Sequence, residues 1–292
     1  MRVTDNMFFD LSRRSIQERR ARFSEAQTQA LEGKRVLAPS TDPQASARAH
    51  RARRREVQAE AHQRSIDSGL MQVEVADAAL SNAGEVLQMA REKALQAAND
   101  SLNADDRNAV AAEIDALRGA LVDLANTRDG EGYVFGGYRK GTQAFTSGGV
   151  YQGDAAHRML EVGPGVRMQV GVHGVEVFGA GGPDDIFAQL DDLATALRAN
   201  DRDAVAAGAD HIHAAHGRLL EARGDLGAQM QQLSIAKTVR TQAADHALAD
   251  QQDAVGIDSV DAVLQLNQAQ RALADAIQIA AQIPPPSLLS QG

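Results

Sequence analysis

Residues 66–98 read IDSGLMQVEVADAALSNAGEVLQMAREKALQAA, and the spacing within this stretch decides the fold. Ile66, Val73, Leu80, Leu87 and Ala94 recur every seven residues, and three places after each stands a small residue: Gly69, Ala76, Ala83, Ala90 and Ala97. A large column beside a small one on a single helix face is a heptad seam, and the small column lets a second helix approach closely. The same device returns downstream in Val205, Ile212, Leu219, Leu226 and Leu233. Gly208, Ala215, Ala222 and Ala236 are its small companions, with Gln229 as the one polar member. Two long helices with matching seams predict that they pack together.

Composition agrees with a chain built on seams. Of 292 residues 43% are apolar but only 3% aromatic, with no tryptophan, so alanine and leucine at helix contacts are expected to outweigh any bulky core. The net charge is −9, unevenly spread. Residues 1–60 carry thirteen Arg/Lys against eight Asp/Glu, which leaves the remainder strongly acidic, and such opposite segments attract each other within or between copies. The absence of cysteine excludes thiol catalysis, disulfides and cysteine-held zinc. The start of the chain lacks a secretory-signal profile. No uncharged apolar run approaches the roughly 18–20 residues of a membrane span.

Working outward to the N-terminus, residues 7–32 read as a helix with Phe9, Ile16, Phe23 and Ala30 seven apart among many arginines. One narrow apolar stripe does not hold an isolated helix, so a partner is expected. Gly33 suits its C-cap. Pro39 and Pro43 force a break, and Ser40, Thr41 or Asp42 can cap a helix from near Pro43 that runs through Arg48–Arg55 into the Ile66 seam. That helix ends at Asn99–Asn103. Asn103 or Ser101 caps the next, in which Val110, Ile114, Leu117, Leu121 and Leu124 alternate by four and three, an antiparallel hairpin by default.

Beyond Leu124 the helix gives way to glycine-rich sequence. The runs Val166–Val170 and Val175–Phe178 read as short antiparallel strands with glycine turns. A short helix with Ile186, Leu190, Leu193 and Leu197 precedes the long Val205 helix. A last helix carries Val263, Leu266, Leu273, Ile277 and Ala280 and stops at Pro284-Pro285-Pro286.

Sharper chemical readings fail on geometry. His211, His213 and His216 have a metal look, but on a helix His211 points about 160° away from His213, so the three do not converge on one tetrahedral ion. The pairs Asp105-Asp106, Asp184-Asp185 and Asp191-Asp192 sit at or near helix starts, where the dipole accounts for them. The glycine runs at Gly163–Gly165 and Gly179–Gly182 lack phosphate-loop spacing, and Gly-x-Ser-x-Gly is absent. The arginines at 48–55 lack neighbouring aromatics and are followed by Glu56 and Glu60, which suits a solvated or intersubunit face better than nucleic acid. No catalytic, cofactor-binding or metal residue is assigned, and no enzyme activity or cofactor is expected.

Four motifs carry a resemblance. Gly33-Lys34-Arg35-Val36 with Pro39-Ser40-Thr41-Asp42-Pro43, and the stretch Leu124-Ala125-Asn126-Thr127 through Asp129-Gly130 to Tyr133-Val134-Phe135-Gly136-Gly137, resemble signatures of the flagellin-like hook–filament junction proteins. Met1–Met7 is similar to their start. Asn267-Gln268-Ala269-Gln270-Arg271-Ala272-Leu273, followed by Ile283 and Ser287-Leu288-Leu289, is similar to their end. Flagellin usually has Leu-Ser-Ser-Gly-x-Arg-Ile-Asn where this chain has Leu31–Val36, a contrast that favours the junction proteins. Two features depart from the family: Pro284–Pro286, where it is usually helical, and an end without an aromatic close.

The resemblance implies terminal helices that pair as an axial coiled coil, a middle bundle and an outward β domain. It implies an extracellular place in the bacterial flagellum, reached by type III export without signal cleavage and with an export chaperone. The partners it implies are hook-associated protein 1, flagellin and like copies in a ring.

The expected fold is mainly α: long heptad helices in an antiparallel bundle or coiled coil, with a small β-rich insert domain. Residues 1–42 and 250–292 would be axial helices, 43–130 and 184–249 the bundle, and 131–183 the β domain. The expected function is that of a structural junction between hook and filament, with Phe9, Ile16, Phe23, Val263, Leu266, Leu273 and Ile277 at the subunit interface. The alternatives are a minor flagellin, or a coiled-coil protein that binds metal or nucleic acid.

Overall fold

A computed structural model describes residues 2–99 and 102–282. Ser101, Ile283, Pro284–Pro286 and Ser287–Leu289, singled out above, lie outside the described residues. In chain order the elements are α1 (Arg2–Glu32), α2 (Pro43–Ala98), α3 (Ala104–Ala125), β1 (Arg128–Asp129), β2 (Gly132–Tyr133), β3 (Arg158–Gly163), β4 (Val166–Val170), α4 (Gly174–Phe178), α5 (Ile186–Arg198), α6 (Arg202–Val255) and α7 (Ser259–Ala281). The chain forms two compact units, residues 59–242 and residues 1–58 with 243–292.

The larger unit is built on the two seams. Ile66, Val73, Leu80, Leu87 and Ala94 are buried, and so are Val205, Ile212, Leu219, Leu226 and Leu233, all within one core. Gln63 bonds Thr241 at 2.8 Å, Asp67 pairs with Lys237 at 2.8 Å and Asp77 with Arg223 at 2.8 Å. Numbers rise along α2 as they fall along α6, so the two run antiparallel. The Asp77 hydrogen bond holds the Arg223 guanidinium above its usual range.

The helix α3 packs against α5 and completes the bundle. Asn103 caps it: its side chain accepts from the amide of Asp106, whose carboxylate accepts in return from the amide of Asn103. Arg107, 2% exposed, donates to the carbonyls of Ala97 and Asn99 and to the Asn200 side chain. A buried guanidinium thus answers the negative end of α2. Arg107→Met is expected to strand those carbonyls and cost about 2–3 kcal/mol, read as a lower urea midpoint. No change in that midpoint would refute the assignment.

The motif at 124–137 seats the β insert. Asn126 donates to the Phe145 carbonyl and accepts from its amide, both at 2.9 Å, while Thr127 donates to the Leu124 carbonyl at 2.7 Å. One Asp129 oxygen accepts from the amides of Glu131 and Gly132, and the other pairs with Lys140 at 3.1 Å. The β3–β4 hairpin aligns Arg158 with Val170 and turns at Gly165.

At Gly69 the small column admits this hairpin as well as α6, whose Leu233 would lie 3.6 Å from a Cβ there. A Cβ there would lie 2.7 Å from Leu160 of β3 and 3.6 Å from Val170 of β4. The polar Gln229 has the matching role on the other seam, where it accepts from the Gly171 amide at 2.7 Å.

Two expectations need correction. Val175–Phe178 belongs to the short helix α4, not a strand. His173 caps its start, Gly179 ends it in the left-handed region, and the buried positions Gly174, Val177 and Phe178 follow a helical spacing that Val-Glu-Val-Phe alone disguises. The core is also bulkier than composition suggested. Phe135, Phe145, Phe178 and Phe187 are fully buried and meet Tyr151, with ring centroids 5.1–5.7 Å apart. Burial pushes the Tyr151 hydroxyl up to about 12, and it donates to the carbonyls of Phe135 and Asp154.

Candidate assembly interface

The smaller unit has the opposite composition of core and surface. Here α1 and α7 pair, with Arg19 donating to the Ala272 carbonyl at 3.3 Å. Farther along, Phe8 and Leu11 line one groove with Ala276 and Ile279, and Gln29 lines another with Gln265, so the pair is antiparallel. The α7 seam runs Ala262, Leu266, Ala269, Leu273, Ala276 and Ala280, spaced by four and three. Ile16, Phe23 and Ala26 face it from α1.

The Gly33–Val36 motif fastens the far end of this unit. Gly33 turns left-handed after α1, and its carbonyl accepts from the Ile257 amide at 3.2 Å. The Arg35 amide donates to the Val255 carbonyl at 2.7 Å, and Val36 is buried. Asp42 accepts from the Ala45 amide and so starts α2, a bond that holds its carboxyl below the usual range.

The buried apolar residues of this unit, among those described, are Ala26, Val36, Ala45, Ala52, Ala247, Ala254, Ala262 and Ala276. Many of the large ones lie outside: Met7, Phe8, Leu11, Val260, Leu264 and Ile279 are all exposed, while Ile16, Phe23, Leu266 and Leu273 are half-buried. A large aliphatic or aromatic side chain yields about 1.5–3 kcal/mol on full burial, alanine far less. The unit therefore leaves large apolar side chains, each worth more than an alanine on burial, in water.

The seven residues expected at the interface divide between two faces. Ile16, Phe23, Leu266 and Leu273 are half-buried in the α1–α7 contact. Phe9 is 37% exposed, and Val263 and Ile277 are each 53% exposed. Sequence reading put Val263 and Ile277 in the same stripe as Leu266 and Leu273. It missed that Leu266 and Leu273 share a seam with Ala262, Ala269 and Ala276, whose four-three spacing was the available signal.

The arginine stretch is engaged with acids of its own unit. Arg55 pairs with Asp250 at 3.1 Å and Arg53 with Glu56 at 2.8 Å. His211 and His213 are exposed and His216 half-buried beside Gly84, so the three do not converge. A different trio does: His157, His173 and Glu176, with donor atoms all within 4.8 Å of one another. Among the described residues no helix is long and apolar enough to cross a membrane.

The family described as the bacterial flagellin N-terminal helical region matches residues 3–138. Flagellar hook-associated protein 3 of Escherichia coli is 28% identical over 285 residues, 89% of each chain. Its namesake in Salmonella typhimurium is 26% identical over 258 residues, 80% of this chain and 81% of the relative. The fold is similar to that of a flagellar hook-associated protein from Vibrio parahaemolyticus, at a TM-score of 0.68 and 23% identity over 74% of this chain and all of that one. It is also similar to flagellar hook-associated protein 3 from Legionella pneumophila, at 0.60 and 20% identity over 68% and 97%.

Proposed function

We infer, from the chain's similarity to flagellar hook-associated protein 3 over most of its length, that it is a structural part of the bacterial flagellum at the junction of hook and filament. The observation that carries the reading is the smaller unit, with its alanine core and exposed large apolar residues. Such a unit is completed by like helices, as heptad faces are. Phe9, Val263 and Ile277 then bury against neighbouring copies, while Ile16, Phe23, Leu266 and Leu273 hold α1 and α7 together.

On this reading residues 1–42 and 250–292 form the axial layer, 43–130 and 184–249 the bundle, and 131–183 an outward β domain. The ring of copies contacts hook-associated protein 1 on one side and flagellin on the other. The chain reaches the cell exterior through the flagellar type III apparatus, accompanied by an export chaperone and without cleavage. Its work is binding, with no catalytic step.

Reconstitution tests this. Purified hooks carrying hook-associated protein 1 are incubated with the chain and then with flagellin. Filaments are expected to grow only when the chain is added first. If the chain grows filaments by itself, it is a minor flagellin; if it never joins the hooks, the junction reading fails.

A further inference from the structure

We propose that His157, His173 and Glu176 form a binding site for one divalent transition-metal ion of the zinc type. The register of the β3–β4 hairpin brings them together. With Arg158 opposite Val170, His157 falls beside the segment that leads to His173. His173 caps α4 and Glu176 stands in its first turn, and the two side chains approach to 3.7 Å between Nε2 and Oε2. The two imidazole rings lie 4.8 Å apart.

The parts suit such an ion. Ligands about 2.0–2.2 Å from zinc stand roughly 3.3 Å from one another in a tetrahedral site. The trio therefore has to close by at most about 1.5 Å. Exposed Glu176 and half-exposed His157 supply the movement, His157 by rearranging its Gln169 contact, while His173, 9% exposed, is the fixed member.

Burial pushes the His173 ring below its ordinary pKa, against the opposing pull of Glu176, which favours the neutral imidazole a metal needs. Gln169 Nε2 lies 2.7 Å from His157 Nδ1. Coordination through His157 Nε2 places the proton on Nδ1, and the Gln169 amide then turns over so that its oxygen accepts from that ring, as outer partners of metal-bound histidines do. Coordination through His173 Nε2 moves its proton to Nδ1 and so gives up the long 3.3 Å cap bond from the Glu176 amide. A water fills the fourth position. Two imidazoles select against magnesium and calcium.

The consequence is a brace. An ion here ties the loop before β3 to α4, whose Val177 and Phe178 close the aromatic cluster. This rests on the larger unit alone and is independent of the junction reading.

The test uses the full chain, stripped with a chelator and dialysed, then titrated with Zn2+ by calorimetry and with Co2+ by visible absorption. Three variants are compared: His157→Ala, Glu176→Gln and the double change His211→Ala/His213→Ala. Circular dichroism confirms that each is folded. Saturation at one ion per chain with a Co2+ ligand-field band is expected. His157→Ala and Glu176→Gln should each weaken binding at least about tenfold, and the double change should leave it intact. Lack of saturable binding overturns the proposal. So does binding that survives both His157→Ala and Glu176→Gln, whatever the double variant does.

Discussion

Ile277→Asp is expected to leave the free chain as stable as before and to abolish its incorporation at the hook end. The side chain is 53% exposed on α7, away from the alanine seam, so in the monomer an aspartate there stays in water. Surface changes of this kind stay within about 0.5 kcal/mol. In an assembled layer of helices the same carboxylate would be buried without a partner, at a cost of several kcal/mol per copy. Sedimentation of hooks with bound chain gives the readout, and thermal unfolding of the variant gives the control. Leu273→Asp is the companion: half-buried against α1, it should loosen the α1–α7 pair as well as block assembly. Normal incorporation of Ile277→Asp would remove that residue from the interface.

Phe145→Ala is expected to have the largest effect on the folded chain itself. The ring contacts Tyr151, Phe178 and Phe187 at centroid distances of 5.1–5.3 Å and is fully buried. Its backbone is held on both sides by Asn126. Truncation leaves a cavity at the root of the β insert and should cost about 3–5 kcal/mol. Chemical unfolding followed by far-ultraviolet circular dichroism measures this. By contrast Phe9→Ala, on α1 and 37% exposed, should cost the monomer only about 1–2 kcal/mol. A loss below about 1 kcal/mol for Phe145→Ala would mean that the aromatic cluster does not organise the insert.

What the sequence revealed, and what it hid, follows from range. The seams at Ile66–Ala94 and Val205–Leu233 are periodic over many turns, so their burial and pairing were legible. Caps are local chemistry, and Asp42, Asn103 and Asp185 all act where their residue types suggested. The aromatic cluster was not legible. Phe135, Phe145, Phe178 and Phe187 come one at a time from separate loops and helices, and only the fold gathers them. Val175–Phe178 misled because four residues cannot distinguish alternation from one helical turn; the buried Gly174 and the left-handed Gly179 decide it.

At the assembly interface the stripe Val263–Ile277 was visible but its division was not. Alanine carries little hydrophobic signal, so the seam through Ala262, Ala269 and Ala276 stayed hidden behind its larger neighbours. His157, His173 and Glu176 were missed for want of a hairpin register; the glycine turn at Gly165 was the clue that could have supplied it.

Amide hydrogen exchange, followed by mass spectrometry on the free chain and on chain bound to hooks, is the most direct test that the smaller unit is finished only by assembly. The expected result is strong protection in the free chain for the seams of α2 and α6 within residues 66–97 and 205–233, rapid exchange through α1 and α7, and slow exchange of α1 and α7 once bound. Equal protection of α7 and the bundle in the free chain, unchanged on binding, would contradict it.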